Sequence, residues 1–292
     1  MNTTPSRSAA TRATAIGVVA LLLWASLAVL TSFTQGIPPF QLLAMSFAVA
    51  FGASLLWLGR RGRAGLAAWH QPWPVWAVGF GGIFVYHALY FYALKAAPAA
   101  QASLIAYLWP LLIVLMGSGG RPHPRALAGA ALGLAGTAFM LWQRPGGEVA
   151  GAGAWAGYAA ALGCALVWSA YSVANRRFAD VPSDVVGAIC GLVAVAGLAC
   201  HLAFETTVRP SGVQALATVA LGLGPVGLAF FAWDHATKHG RLATLGALSY
   251  LTPLASTLLL IALGRAEAGL YLLVPALLIV AGAVLATVGP RR

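Results

Sequence analysis

The chain has 292 residues, of which 60% are hydrophobic and only 8% charged, with a formal net charge of +11. A soluble globular domain carries about 25% charged residues, so this composition cannot build a water-facing surface. Nor does the basic excess make a nucleic-acid patch, because the Lys and Arg residues sit in short breaks between apolar runs, as membrane topology demands.

In chain order, Arg7 and Arg12 precede an apolar run from Ala13 to Phe33. The flanks suit a signal peptide, but the run is long enough to span about 30 Å of hydrocarbon and has a counterpart in the second half of the chain. It is therefore taken as the first membrane helix. Apolar segments follow at 40–58, 74–94, 98–117, 125–142, 154–176, 184–204, 213–235, 241–263 and 269–288, after the first at 14–34. Each is near the twenty or so residues a spanning helix needs. The breaks carry turn and charge signals: Gly-Ile-Pro-Pro at 36–39, Gly-Arg-Arg-Gly-Arg at 59–63, Arg-Pro-His-Pro-Arg at 121–125 and Arg-Pro-Gly-Gly-Glu at 144–148. The expected class is an all-α membrane protein of ten helices. Its plan is a tail at 1–13, a five-helix repeat at 14–142, a linker at 143–153, a second five-helix repeat at 154–288 and a tail at 289–292. The 34 glycines suit close helix packing in lipid, and Cys164, Cys190 and Cys200 read as small packing residues.

With ten spans both termini share a face. That face holds 13 of the 17 Lys and Arg residues; the other holds Lys95, Arg144, Arg209 and Arg265. The positive-inside rule puts the richer face in the cytoplasm.

The chain repeats itself weakly at an offset of 143 or 144. Trp24 aligns with Trp168, Gly81 with Gly224, Lys95 with Lys238, Tyr107 with Tyr250 and Pro110 with Pro253; Gly136 falls beside Gly282. Five spans per half is an odd number, so the second half enters the membrane from the opposite side. Inverted halves are the plan of many secondary transporters, with substrate near the midplane between them.

Several residues are candidates for a pathway. Pro110 and Pro253 each fall inside a span and should leave the carbonyls of Ala106 and Ser249 without their usual donors, making either a passive kink or a hinge. Tyr86 and Tyr90 share a helical stripe with His87 beside them; Trp168, Tyr171, Ser172 and Asn175 follow helical spacing on another; Trp233 precedes Asp234; Tyr107, Trp109 and Tyr250 flank the prolines. Such aromatics sit at an interface or line a cavity. Intramembrane ionisable groups default to functional candidates. Asp234 and Lys238, four apart, are open to a local ion pair or to a proton role. His87 is open to a neutral core role or to titration. His235 and His239 have zinc-like spacing, but no third ligand is evident and no metal is expected. Paired acids, a His-Glu metal motif and a Ser–His arrangement are all missing from mid-span positions, so an enzyme is not expected. With no fixed mid-membrane cation or carboxylate beyond these, a neutral or zwitterionic solute fits best, met by aromatic stacking and cation–π contact.

At these motifs the sequence resembles the drug/metabolite transporter superfamily, in its EamA-like branch, and within it the YddG-type aromatic amino acid exporters of bacterial inner membranes. The resemblance rests on Leu-Leu-Trp-Ala-Ser (22–26), Ala-Tyr-Leu-Trp-Pro (106–110), Val-Trp-Ser-Ala-Tyr (167–171), Ala-Phe-Phe-Ala-Trp-Asp (229–234), Lys-His-Gly (238–240) and Ser-Tyr-Leu-Thr-Pro (249–253). It implies export of amino acids, chiefly aromatic ones, by alternating access around a central cavity in the inner membrane. The residues expected to meet substrate are Trp24, Tyr86, His87, Tyr90, Tyr107, Trp109, Trp168, Tyr171, Trp233, Ser249 and Tyr250, with Pro110 and Pro253 as hinges. No cofactor is expected. The partners are an amino acid and the lipid bilayer. Oligomeric state is left open, with a monomer compatible.

Overall fold

The computed structural model describes residues 7–117, 123–142, 154–264, 269 and 273–287, and among them every regular element is helical. The first span is α1 (Arg7–Ala25) and α2 (Leu27–Ser32), kinked at Ser26, whose hydroxyl donates to the Leu23 carbonyl at 2.7 Å. A turn through Gly36, at φ 87°, leads to α3 (Pro39–Gly59). Proline at the first helical position forfeits no intrahelical bond. The Glu205 carboxylate then accepts from the Phe40 and Gln41 amides, each at 3.0 Å, so two orphan donors of the helix start are satisfied by an anion at its positive end.

A short α4 (Arg63–Ala67) precedes α5 (Trp73–Phe80), which runs through a π-helical segment, Gly81–Val85, into α6 (Tyr86–Ala96). Next come α7 (Ala99–Ala106), α8 (Trp109–Met116) and α9 (Pro124–Trp142). The second half follows the same order. In it, α10 (Ala154–Ala174) closes in a 3-10 turn at Asn175–Phe178 and is followed by α11 (Val185–Phe204). Ser211 and Gln214 form a reciprocal capping box at the head of α12 (Gly212–Leu221). A second π-helical segment, Gly222–Leu228, joins it to α13 (Ala229–His239). The chain ends in α14 (Leu242–Leu248), α15 (Leu251–Ala262) and α16 (Leu273–Thr287).

Among the described residues, seven continuous runs are long and apolar enough to cross a membrane, and two shorter apolar helices accompany them. The expected fourth span, broken at Tyr107–Leu108 into α7 and α8, is one of the two shorter ones, with an apolar run of Gln101–Met116. The expected fifth is α9, and of the expected tenth the structure describes α16. The first helix begins at Arg7, ahead of the expected 14. The linker at 143–153 and the tail at 289–292 lie outside the described residues, as does 1–6 of the N-terminal tail.

The outer surface is apolar. Leu22, Leu56, Trp57, Trp155, Leu202 and Leu216 are each more than half exposed, a belt that water would not tolerate and hydrocarbon would. The chain is a multi-pass helical membrane protein.

The packing comes in matched pairs. Helix α3 lies along α11, and α9 along α16. As α1 packs on α13, so α10 packs on α6; as α10 packs on α8, so α1 packs on α15; α8 meets α14. At the α9–α16 crossing a Cβ on Gly129 or on Gly282 would come within 2.5 Å of the other's carbonyl oxygen. Only residues this small let the backbones approach so closely.

Candidate functional site

Between these helices lies a cavity of about 650 Å³. One part of its wall is Trp24, Leu27, Thr31 and Gln35 from α1, α2 and the loop beyond; another is Phe47 from α3. Helix α6 contributes Tyr86, His87, Tyr90 and Phe91; the α7–α8 region contributes Ser103, Tyr107 and Trp109. Trp168, Pro225, Phe230, Thr252 and Ser256 complete it from the second half. Among the described residues that line it, none is Lys, Arg, Asp or Glu. The wall reaches Gln35 and Gly36 at the end of the first span and Leu94 near the end of the third, so it opens toward the face opposite Arg7.

Toward the other face, four indoles close it. The ring centroid of Trp24 lies 5.6 Å from Trp168 and 5.1 Å from Trp233; Trp109 stands edge-on to Trp233 at 5.8 Å, and Trp168 stacks over Trp233 at 6.2 Å. These are favourable aromatic separations, each worth about 0.5–1.5 kcal/mol beyond burial.

Two local departures from α-helix shape the wall. The π-helical segment Gly81–Val85 puts extra residues in one turn, which rotates everything after it about the axis. Gly82 is needed there because the Tyr171 ring occupies the space of a Cβ. The residues that follow, Tyr86 to Phe91, supply the α6 wall. In the second half, Pro225 sits inside the π-helical segment Gly222–Leu228, and its carbonyl accepts from the Trp24 indole N–H at 3.0 Å. That bond fixes the orientation of an indole whose polar edge would otherwise be buried unpaired.

The prolines act differently from expectation. Pro110 is the second residue of α8 and Pro253 the third of α15, so each opens a new helix instead of kinking a continuous one. The breaks fall just before them, at Tyr107–Leu108 and Ser249–Tyr250, and the Tyr250 hydroxyl donates to the Tyr107 carbonyl at 3.2 Å, tying one break to the other. The Ser249 carbonyl, expected to lose its donor, accepts from the Thr252 amide at 3.1 Å. A tighter i to i+3 bond has replaced the missing one.

Of the residues picked out from sequence, Trp24, Tyr86, His87, Tyr90, Tyr107, Trp109 and Trp168 line the cavity. Tyr171, Trp233, Ser249 and Tyr250 do not, and each is buried in protein. Trp233 lies behind the indole floor and donates to Ser172 Oγ at 3.1 Å. Tyr171 packs against Trp168 and Gly82. The Ser249 hydroxyl donates back to the Leu245 carbonyl at 2.7 Å. Tyr250 fills the space left by Gly133 on α9. The wall also contains Phe47, Phe91 and Phe230, which the sequence does not single out, because a phenylalanine in an apolar run looks the same whether it faces lipid, core or cavity.

His87 is held by rings of Phe47, Tyr86, Phe91 and Phe230, with centroids 5.3–6.2 Å away. Its Nδ1 is 2.7 Å from the Ile83 carbonyl, which can only accept, so the proton is on Nδ1 and a neutral ring offers Nε2 as an acceptor.

Asp234 and Lys238 form a buried ion pair at 2.8 Å. The pair is part of a cluster: Asn175 Nδ2 donates to Asp234 Oδ1 at 3.0 Å and to Thr237 Oγ1 at 2.9 Å, and Lys238 Nζ donates to the Val181 carbonyl at 3.0 Å. These bonds join α13 to the end of α10 and the loop after it, behind the indole floor. His235 and His239 lie side by side with ring centroids 4.8 Å apart, and no group of three His, Cys, Asp or Glu residues is gathered for a metal among the described residues.

A model of the EamA-like transporter family matches residues 11–142 and again 155–288. The aromatic amino acid exporter YddG of Ancylobacter novellus is 49% identical over 283 residues, covering 96% of this chain and 98% of the relative. The exporter of the same name from Salmonella typhimurium is 23% identical over 265 residues, covering 85% and 87%. A crystal structure superposes with a TM-score of 0.90 at 48% identity, covering 95% of this chain and 96% of that one.

Proposed function

Because the chain belongs to the EamA-like transporter family, we propose that it exports amino acids, chiefly aromatic ones, across the bacterial inner membrane. The observation that carries this reading is the uncharged, aromatic-walled cavity of about 650 Å³. Its size lies in the range of small-molecule sites, about 300–1,000 Å³. Its rings suit stacking on an aromatic side chain, and their faces suit an ammonium. A wall without fixed charge favours a zwitterion over a net anion or cation. Within it, Trp24, Tyr86, Tyr90, Tyr107, Trp109 and Trp168 serve as the stacking surface and His87 as a hydrogen-bonding group.

The architecture in this proposal is ten spans in two inverted halves, 14–142 and 154–288, with both termini cytoplasmic. The matched packing pairs support it, as do the two π-helical segments and the two helix breaks at equivalent places in the halves. In that orientation the cavity faces outward and the cytoplasmic side is shut. At the offset of 143, cavity residues Tyr90, Phe91 and Leu94 correspond to Trp233, Asp234 and Thr237. The first set lines the open side and the second is buried in the closed side. Alternating access exchanges these roles: the Asn175–Asp234–Lys238–Val181 cluster parts as the Tyr90 face closes. Trp233 and Tyr171 meet the solute only in that inward-open form, with Pro110 and Pro253 marking the hinges.

The test is flux of labelled phenylalanine in proteoliposomes of the purified chain, with and without a pH gradient. Saturable flux competed by tryptophan and tyrosine is expected. Saturable flux of other metabolites with none of aromatic amino acids would overturn the substrate while leaving a transporter.

A further inference from the structure

A second concavity, sharing no lining residue with the transport cavity, lies on the membrane-facing side near the N-terminus. It is a groove of about 270 Å³ between α1 and α14. Its two ends differ in chemistry. One end is polar, with Thr11, Arg241 and Thr244; the other is apolar, with Ala15, Val18 and Leu248. From Thr11 to Val18 is seven helical residues, so the groove runs roughly 10 Å into the bilayer.

The polar end is cationic and uncompensated. Arg241 is exposed and belongs to no ion pair among the described residues. Its backbone is fixed, because its amide donates to Thr14 Oγ1 at 2.9 Å, and Thr14 in turn donates to the Ala10 carbonyl at 2.8 Å. The side chain therefore starts from a fixed point at the mouth of the groove. Arg7, one turn before Thr11 on the same stripe of α1, is also exposed and unpaired among the described residues. Beside the apolar end, Ile16 and Val19 are 39% and 44% exposed, which puts the groove on the lipid side of the molecule.

We infer that this groove is a binding site for an anionic phospholipid. The headgroup phosphate sits between Arg241 and Arg7 and takes a hydrogen bond from the Thr244 hydroxyl. The first methylenes of an acyl chain lie along Ala15, Val18 and Leu248. Charge complementarity selects the anionic class, since a basic pocket between membrane helices is the general form of headgroup recognition. The depth of the apolar end selects a lipid over a free phosphate, which would leave it unfilled. The lipid bridges the first helix and the start of α14, one from each half of the chain.

The test is native mass spectrometry of the full chain titrated with dioleoyl phosphatidylglycerol or dioleoyl phosphatidylcholine. Wild type is expected to hold the anionic lipid about tenfold more tightly. Arg241→Gln and Arg7→Gln should each remove most of that preference and leave phosphatidylcholine binding unchanged. Arg60→Gln, an exposed basic residue outside the groove, should behave as wild type. Equal binding of the two lipids by wild type would overturn the site. So would equal losses in Arg60→Gln and Arg241→Gln, because diffuse surface charge would then account for the preference.

Discussion

The carboxylate of Asp234 is matched on both oxygens, by Lys238 on one and Asn175 on the other. In a low-dielectric interior, breaking a buried pair by removing one partner strands the other charge. Lys238→Ala should therefore lower stability by about 3–5 kcal/mol, read as thermal unfolding in detergent. The double variant Asp234→Ala/Lys238→Ala should recover most of that loss. Equal losses in the single and double variants would show that packing at 238, not charge pairing, holds the cluster. The i,i+4 pair was legible in sequence because helix geometry alone brings the two residues together. Asn175 stands out on its own helical stripe, but neither its contact with Asp234 nor that of Val181 with Lys238 is legible, since both depend on how α10 ends and turns. The same contrast holds among the aromatics. Trp24 and Trp168 stand out because the repeat aligns them, whereas the buried fate of Trp233 depends on which side of the molecule is closed.

At the scale of elements, the Tyr-Leu-x-Pro motifs located both helix breaks, but the mechanism differs from a proline kink. Each proline starts a new helix after the break, and Tyr250 spans from one break to the other. Pro110→Ala restores an amide that can reach the Ala106 carbonyl and so close the break. Transport should fall while expression and thermal stability hold or rise; unchanged flux would remove the break from the mechanism. The two π-helical segments leave no pattern in the sequence. Their signal is a change of register, and a run apolar on every side offers no periodicity in which to see one. Gly81, Gly82 and the Gly-Leu-Gly-Pro at 222–225 are the only traces they leave.

For the whole molecule, the proposed exchange between halves makes a prediction about access. In a Cys200→Ser background, where Cys164 and Cys190 remain buried, Leu94→Cys should react with a membrane-impermeant maleimide from outside. Thr237→Cys should be protected until substrate on the cytoplasmic side drives the chain inward-open. Equal labelling at both positions from the start would contradict a closed cytoplasmic side.

In the proposed function the solute binds in the indole-floored cavity. That placement is tested most directly by phenylalanine flux in proteoliposomes carrying Trp168→Ala, set beside Trp57→Ala, which removes an indole from the lipid-facing surface. Trp168→Ala should lose about tenfold or more, the factor that about 1.4 kcal/mol of lost stacking confers, and Trp57→Ala should keep wild-type flux. Wild-type flux from Trp168→Ala in folded protein would contradict that placement.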